Sequence, residues 1–410
     1  MKKSIENALI EKVLDRQERT NERILKEIAD TISQIGELLP SQYDTIGQEL
    51  KYGENLDKII EYLEKQTNLT KQDILKMFEQ RAKTDYDFAE KYYRAKNVEY
   101  LPYEENLPLK NKIDEIALAT FDDFFELSTF SNVAHTTGIT FLDFNGNKVT
   151  KNIVDAYRQI VDDSIMSVRM GKESFYTTLS KQLKVMGESG IQKIEYESGY
   201  HRRIDSALRM NLQDGLNEMA MAQQEIIGKQ FGADGVEITV HDNPAPDHAP
   251  LQGHIFAKDE FEKLQAGETA SDIDGEKFQI KRAIGQWNCY HEIFDIVLGI
   301  DEPIYSKKEL QKIIENNEKG FEYEGEHYTN YEGQQKQRQL ELEIRKAREK
   351  AIMQKKALQN TKDEFGKEQL QKDINKTNNR INLLLNKYHD FSKKSGLPTK
   401  LERARLLTKS

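Results

Sequence analysis

The sequence predicts a mostly α fold with a small α+β region, built from long amphipathic helices and a basic C-terminal helical arm. Three observations carry that expectation. Charged residues make up 32% of the 410 and the hydrophobic set only 37%, whereas about 25% charged is ordinary for a soluble domain; the excess suits helices washed by solvent along one face. Only 8 prolines interrupt the chain, so long helices meet few breaks. Apolar residues recur at three- and four-residue spacing over much of the length, where strands would alternate every second residue.

The same composition excludes other classes. No run of about 18 apolar residues exists, so no membrane-spanning helix is expected. The opening MKKSIENALIEKVLDRQERT lacks the apolar stretch of a secretory signal. A single cysteine, Cys289, excludes an intramolecular disulfide framework and any Cys-rich zinc module. The expectation is a chain made in a reducing cytoplasm. Its length suits two or three domains, placed at residues 1–110 (helical), 111–330 (α+β) and 331–410 (the basic arm). Net charge is uneven. Residues 334–410 hold 20 Lys and Arg against 9 Asp and Glu, a net +11, which leaves −21 on the remainder. Such an arm is drawn to polyanions or acidic protein surfaces, although a solvated helical face explains it as well.

In chain order, residues 1 to about 100 read as helix, with Leu56, Ile59, Ile60 and Leu63 at helical spacing. Thr70, with Asp73 three residues on, reads as an N-cap opening a new helix over Ile74, Leu75 and Phe78. Amphipathic helices of this kind need partners, either each other or another chain. The aromatic run FDDFFELSTF from Phe121 leads into GITFLDFNGNKVT. There Asn145-Gly146 predicts a hairpin with a tight I′ turn, which demands positive φ at both positions. Helical periodicity returns from Ile153 to about Met186 and again at Ile204, Leu208, Leu212, Leu216 and Met219, ending near Gly232. Val236, Ile238 and Val240 alternate with Glu237 and Thr239, the pattern of a half-buried strand. Pro244, Pro246 and Pro250 then stiffen the loop HDNPAPDHAPLQGHIF, and a second loop runs from Gly267 to Gly275. In the arm, Leu340, Ile344, Ala347 and Ala351 keep helical spacing, extended by Leu358, Phe365, Ile374 and Ile381. Gly366 predicts two helices or a bent one, and Pro398 a break near the end.

Chemistry concentrates between His241 and His291, where His241, His248, His254 and His291 join Cys289. His241, His248, Cys289 and His291 are the right residue types for one tetrahedral zinc ion. Their spacing matches no standard finger, which favours a second reading: the histidines hydrogen-bond loop backbones and hold the Pro-rich loop against the segment containing Trp287. Asp242 and Asp247 are candidate acid–base partners of an imidazole. No phosphate loop, nucleophile elbow or HExxH motif is present. In the arm, Lys336, Arg338, Arg345, Lys346, Arg348 and Lys350 gather on one helix as candidate phosphate contacts for non-specific binding of double-stranded DNA.

His241, then Pro246-Asp247-His248, then Leu251-Gln252-Gly253 with Phe256, and later Trp287-Asn288-Cys289 and His291, resemble the phage minor capsid protein 2 family within the wider Mu F-like head-morphogenesis group. A weaker echo runs through Tyr331, Gln334, Lys336, Arg338, Glu341, Ile344 and Arg345. The resemblance spans about residues 200 to 350 and extends into the arm. The chain departs from the family pattern at Ala245 and Tyr290, where an Arg is common. The resemblance implies a low-copy structural protein of the virion head, made in the host bacterial cytoplasm, with portal and major capsid protein as partners and no membrane. The competing reading is a metal-dependent nuclease or toxin-like effector carried in the head. A cytoplasmic DNA-associated scaffold is a weaker third.

Overall fold

The computed structural model describes residues 2–35, 53–96, 98–128, 137–169, 175–194, 201–241, 243–268, 279–287 and 289–404. The fold is mostly α with a small α+β part. Among the described residues no helix is long and apolar enough to cross a membrane.

Helix α2 (Glu54–Lys96) packs on both α1 (Lys2–Ile35) and α3 (Leu107–Ser128). Ile24, Leu25, Ile28 and Ile32 of α1 meet Ile74, Phe78 and Ala82 of α2 in one core. Burying each large apolar side chain contributes about 1.5–3 kcal/mol, and this is where the predicted demand for partners is met. The backbone over Leu56–Leu63 is helical as expected, while those four side chains lie outside the described residues. The N-cap expected at Thr70 does not occur: α2 runs uninterrupted through it. Asp73 instead crosses to α1, accepting from Arg16 at 2.6 Å and Lys12 at 3.3 Å. An inter-helix ion pair has taken the residue that local pattern assigns to a cap.

The aromatic run from Phe121 continues α3, and its last two residues lie outside the described ones. The predicted hairpin forms from β1 (Thr137–Leu142) and β2 (Lys148–Asn152). Its turn is not I′. Gly146 takes φ +84°, but Asn145 has no positive φ, and Asp143 accepts from Gly146 N–H at 2.9 Å. A type I turn closed by a left-handed glycine explains both facts. The I′ geometry appears at Glu324-Gly325, φ +51° and +83°, joining β8 (Phe321–Tyr323) to β9 (Glu326–Tyr328).

Helices α4 (Ile153–Arg169) and α5 (Phe175–Ser189) follow the first hairpin. β3 (Ile191–Ile194) and β4 (His201–Arg203) complete an antiparallel sheet of order β2-β1-β3-β4. Helix α6 (Ile204–Phe231) buries the whole predicted stripe from Ile204 to Met219 and ends on Gly232 in the left-handed conformation. A second sheet, β6-β5-β7, then forms from β5 (Gly235–Ile238), β6 (Ile255–Ala257) and β7 (Ile293–Ile296), with α7 (Lys258–Gln265) after β6. The half-buried strand is a correction: β5 is central and buried on both faces. Glu237, expected to face solvent, is 0% exposed. Its carboxylate accepts from Ile304 N–H at 3.0 Å and Tyr305 N–H at 3.3 Å.

Helix α8 (Lys307–Lys319) opens with a Ser306/Glu309 capping box, and α9 (Asn330–Asn360) with a Thr329/Glu332 one. α10 (Glu364–Ser395) folds back on α9. The arm is two helices, as predicted, but the break falls at Thr361–Asp363 rather than at Gly366. Gly366 lies in the first turn of α10, where its N–H donates to the Asp363 cap at 2.7 Å. A Cβ there would meet the Tyr176 ring at 2.1 Å, so the glycine serves packing. Gly396 in the left-handed conformation ends α10 before Pro398. Phe365, expected in the apolar stripe, is 57% exposed.

α9 packs on α1 and α5 as well as on α10. Two of its charged residues are buried against older parts of the chain: Glu349 pairs with Arg203, and Arg345 lies 3.7 Å from Glu18. Burial pushes the Glu18 carboxyl up to about 7 against the pull of Arg345. Between about pH 4.5 and 7 the folded state therefore holds a proton that the unfolded state releases. Stability present at low pH is lost as pH rises through that window, by up to about 3 kcal/mol. Glu18→Gln should flatten this slope in denaturant titrations run at several pH values. A Cβ on Gly187 of α5 would come within 2.6 Å of Lys350 Cα. Gly187→Ala should therefore lower unfolding free energy by about 1–3 kcal/mol in the same assay, despite the roughly 1 kcal/mol alanine normally brings to a helix.

Candidate functional site: a buried histidine–cysteine cluster

The site lies between the second sheet and the middle of α6. Beyond β5 the chain turns through the proline loop, where Ala245 C=O accepts from the N–H groups of His248 and Ala249, each at 2.9 Å. A short 3-10 turn over Ala249–Leu251, with Pro250 inside it, aims His248 inward. Gly253 takes φ +68° to bring the chain back to the sheet. There its N–H donates to Ile238 C=O at 2.8 Å, and His254 C=O accepts from Ile238 N–H at 3.1 Å. Phe256 is buried on β6 opposite Val236.

Three of the four predicted zinc donors converge. Cys289 Sγ lies 3.3 Å from His248 Nδ1 and 3.3 Å from His291 Nδ1. These three donor atoms all fall within 4.8 Å of one another, and all three residues are buried. His241 stands at the edge, its Nε2 3.3 Å from His291 Nδ1. His254, one residue before β6, meets the sheet through its backbone carbonyl, which accepts from Ile238 N–H. Asn288 and Asp242 lie outside the described residues. Pro246 is exposed on the loop, and Trp287 is 64% exposed with φ +55°. The tryptophan is a backbone pivot, its N–H donating to Asp214 at 3.0 Å, and no part of the core.

The surroundings fix both buried rings. His248 Nε2–H donates to Arg282 C=O at 2.9 Å. Gln252 Oε1 accepts from His241 N–H at 2.8 Å and faces His291 Nε2 at 3.2 Å, so that nitrogen is the one carrying the proton. Asp247 accepts from Arg282 Nε and Nη2, both at 3.1 Å. Burial raises the Asp247 carboxyl, but Arg282 and His248 win and hold it below its ordinary range. Burial pushes the Cys289 thiol up and the His248 imidazole down. A thiol held protonated beside a His248 ring that resists protonation is the reverse of the thiolate–imidazolium pair a nucleophilic cysteine needs. With His248 0%, Cys289 4% and His291 1% exposed, the chemistry-bearing atoms are sealed from any large substrate.

Sequence reasoning missed the group that ties this cluster to the helical body. Asn217 of α6 donates to Gly285 C=O at 3.0 Å and Cys289 C=O at 2.6 Å. The signal was there: Gln213 and Asn217, four apart, sit beside the leucine stripe and are both buried. Arg282, anchor of His248 and Asp247, had no local signature. On α9, Arg345 donates to Arg403 C=O and Arg348 to Ala404 C=O. Lys346 pairs with Glu343 at 3.1 Å, and Lys336 is half-buried. Burial raises the Tyr290 phenol, but Arg403, Arg338 and Lys400 prevail and hold it below its ordinary value. Arg338 therefore faces the residue between Cys289 and His291.

His248→Ala and Asn217→Ala should each cost about 2–3 kcal/mol of stability, from the lost buried hydrogen bonds and the cavity. Both act on the 282–291 segment, so the double variant should cost less than the sum, a coupling that denaturant unfolding would resolve.

Comparison with curated proteins gives no match, and neither does comparison with solved structures. One family model, phage minor capsid protein 2, matches residues 7–391. That stretch takes in the N-terminal helices, the cluster and the arm together, well beyond the segment whose motifs carry the resemblance. On nearly its whole length, the chain belongs to the phage minor capsid protein 2 family.

Proposed function

We propose that this chain is a structural component of the phage head, present at low copy in the virion and seated near the portal or the inner capsid surface during head assembly. The observation that carries the reading is the family match over residues 7–391. Burial of the cluster supports it, because a site sealed this fully serves to hold loops rather than to turn over a substrate. The effector reading needs those same residues open to substrate and is not favoured. In this assignment the portal and the major capsid protein are the partners.

Double-stranded DNA is a second, non-specific partner in this reading. Arg345 and Arg348 are committed to the chain's own C-terminal carbonyls, so contact with packaged DNA falls to the outer face of α10. Lys372, Lys376, Arg380, Lys393 and Lys394 are exposed there, and phosphates ask only for cations.

Quantitative mass spectrometry of purified particles against the major capsid protein tests the assignment. The expected result is a reproducible low copy number per head, unchanged after nuclease treatment of opened particles. Absence of the chain from intact particles would overturn it.

A further inference from the structure

The histidine–cysteine cluster brings together the donor types and the spacing of a metal site. His248 and His291 each spend their Nε2–H on an oxygen outside the cluster, Arg282 C=O at 2.9 Å and Gln252 Oε1 at 3.2 Å. Neither oxygen can donate: one is a carbonyl, and the other is fixed as the amide oxygen by accepting from His241 N–H at 2.8 Å. Both rings are therefore held in the tautomer that leaves Nδ1 bare. The two bare nitrogens point at one sulfur, each 3.3 Å away. Outer oxygens that lock a ring tautomer and turn its lone pair inward are what support metal-bound histidines elsewhere.

We infer that His248 Nδ1, Cys289 Sγ and His291 Nδ1 bind one zinc ion, with His241 Nε2 as the fourth donor at the edge of the cluster. Two nitrogens and one sulfur are borderline-soft ligands that suit zinc over magnesium or calcium. Zinc–ligand bonds of about 2.0–2.3 Å in a tetrahedron put neighbouring donor atoms roughly 3.5 Å apart, close to the 3.3 Å from Cys289 Sγ to either imidazole nitrogen; His241 Nε2, 3.3 Å from His291 Nδ1 but outside the group of three, moves inward to complete the tetrahedron. On binding, the thiol gives up its proton to solvent and the two imidazoles give up none. The backbone N–H of His291, 3.4 Å from the sulfur, then stabilises the thiolate. The ion would join the proline loop to the 282–291 segment, which Asn217 ties to α6. Its role is to fasten, and the inference stands whether or not the chain is found in particles.

The test uses the full-length chain, equilibrated with zinc alone and freed of excess, with metal counted by elemental analysis. One zinc per chain is expected, with a fall in melting temperature on chelation that added zinc restores. Cobalt(II) exchanged into the same chain should give a thiolate-to-cobalt charge-transfer band and the intense visible bands of tetrahedral coordination. Cys289→Ala and His248→Ala should lose the stoichiometric metal, while His327→Ala, on the exposed β8–β9 hairpin, keeps it. Zinc well below one equivalent in the wild-type chain, or cobalt bound without a thiolate band, would overturn the inference, and neither measurement depends on a variant folding.

Discussion

The burial of α9 is the constraint on which the rest of the molecule depends. By composition this helix belongs to a basic, water-loving arm, yet it lies against α1, α5 and α10 with Leu340, Ile344, Met353 and Ala357 inside. Charges that go in with it must be matched. Glu18 faces Arg345, Arg203 faces Glu349, and Tyr388 donates to Glu341 at 3.1 Å. Such pairs add little net stability, because desolvation consumes most of the attraction. Their effect is on register: shifting α9 by one turn would leave a charge buried without its partner, at about 3–5 kcal/mol. The raised Glu18 carboxyl has the same origin, since burial there outweighs its cation.

The second sheet joins this body through Met221 of α6, which packs against its core, and through polar ties. Asn217 of α6 captures two carbonyls of the 285–289 segment and Arg81 of α2 reaches Glu292 at 3.1 Å, while within the sheet region Glu237 captures two backbone amides of the 304–305 turn and Lys258 reaches Asp295 at 2.6 Å. A three-stranded sheet with a core of only a few residues, Val236, Ile238, Leu251, Phe256 and Ile293 among them, buries little apolar area for its size. Fixed polar ties, and the cluster they enclose, define its geometry where packing alone would leave it loose.

Much of the scaffold was legible because it rests on local pattern. The α6 stripe, its glycine cap, the β1–β2 hairpin and the two-helix arm follow from periodicity and turn residues within a few positions of one another. Three of the failures share one cause. At Thr70, Glu237 and Gly366 a residue with a strong local meaning was claimed by a distant partner: Asp73 by α1, Glu237 by residues 304–305, Gly366 by Tyr176. The cluster shows both sides. Its histidines and cysteine stood out by type, but which of them meet was decided by Arg282, Gln252 and Asn217, up to 72 residues away in the chain. None of those three residue types announces such a role.

The pairing of α1 with α9 also has a consequence in time. Glu18 and Arg345 lie at opposite ends of the sequence, and a ribosome adds only about 5–20 residues per second. The first helix is therefore complete for roughly fifteen seconds to a minute before the helix that covers it exists. Over that interval its apolar face has only α2, α4, α5 and α6 to rest on, and Glu18 stays in water, ionised. Closing the body is a late event that waits for the synthesis of α9, and it draws a carboxyl out of solvent as it happens. A nascent chain cut short before residue 345 would leave that face uncovered, ready for another copy or a chaperone.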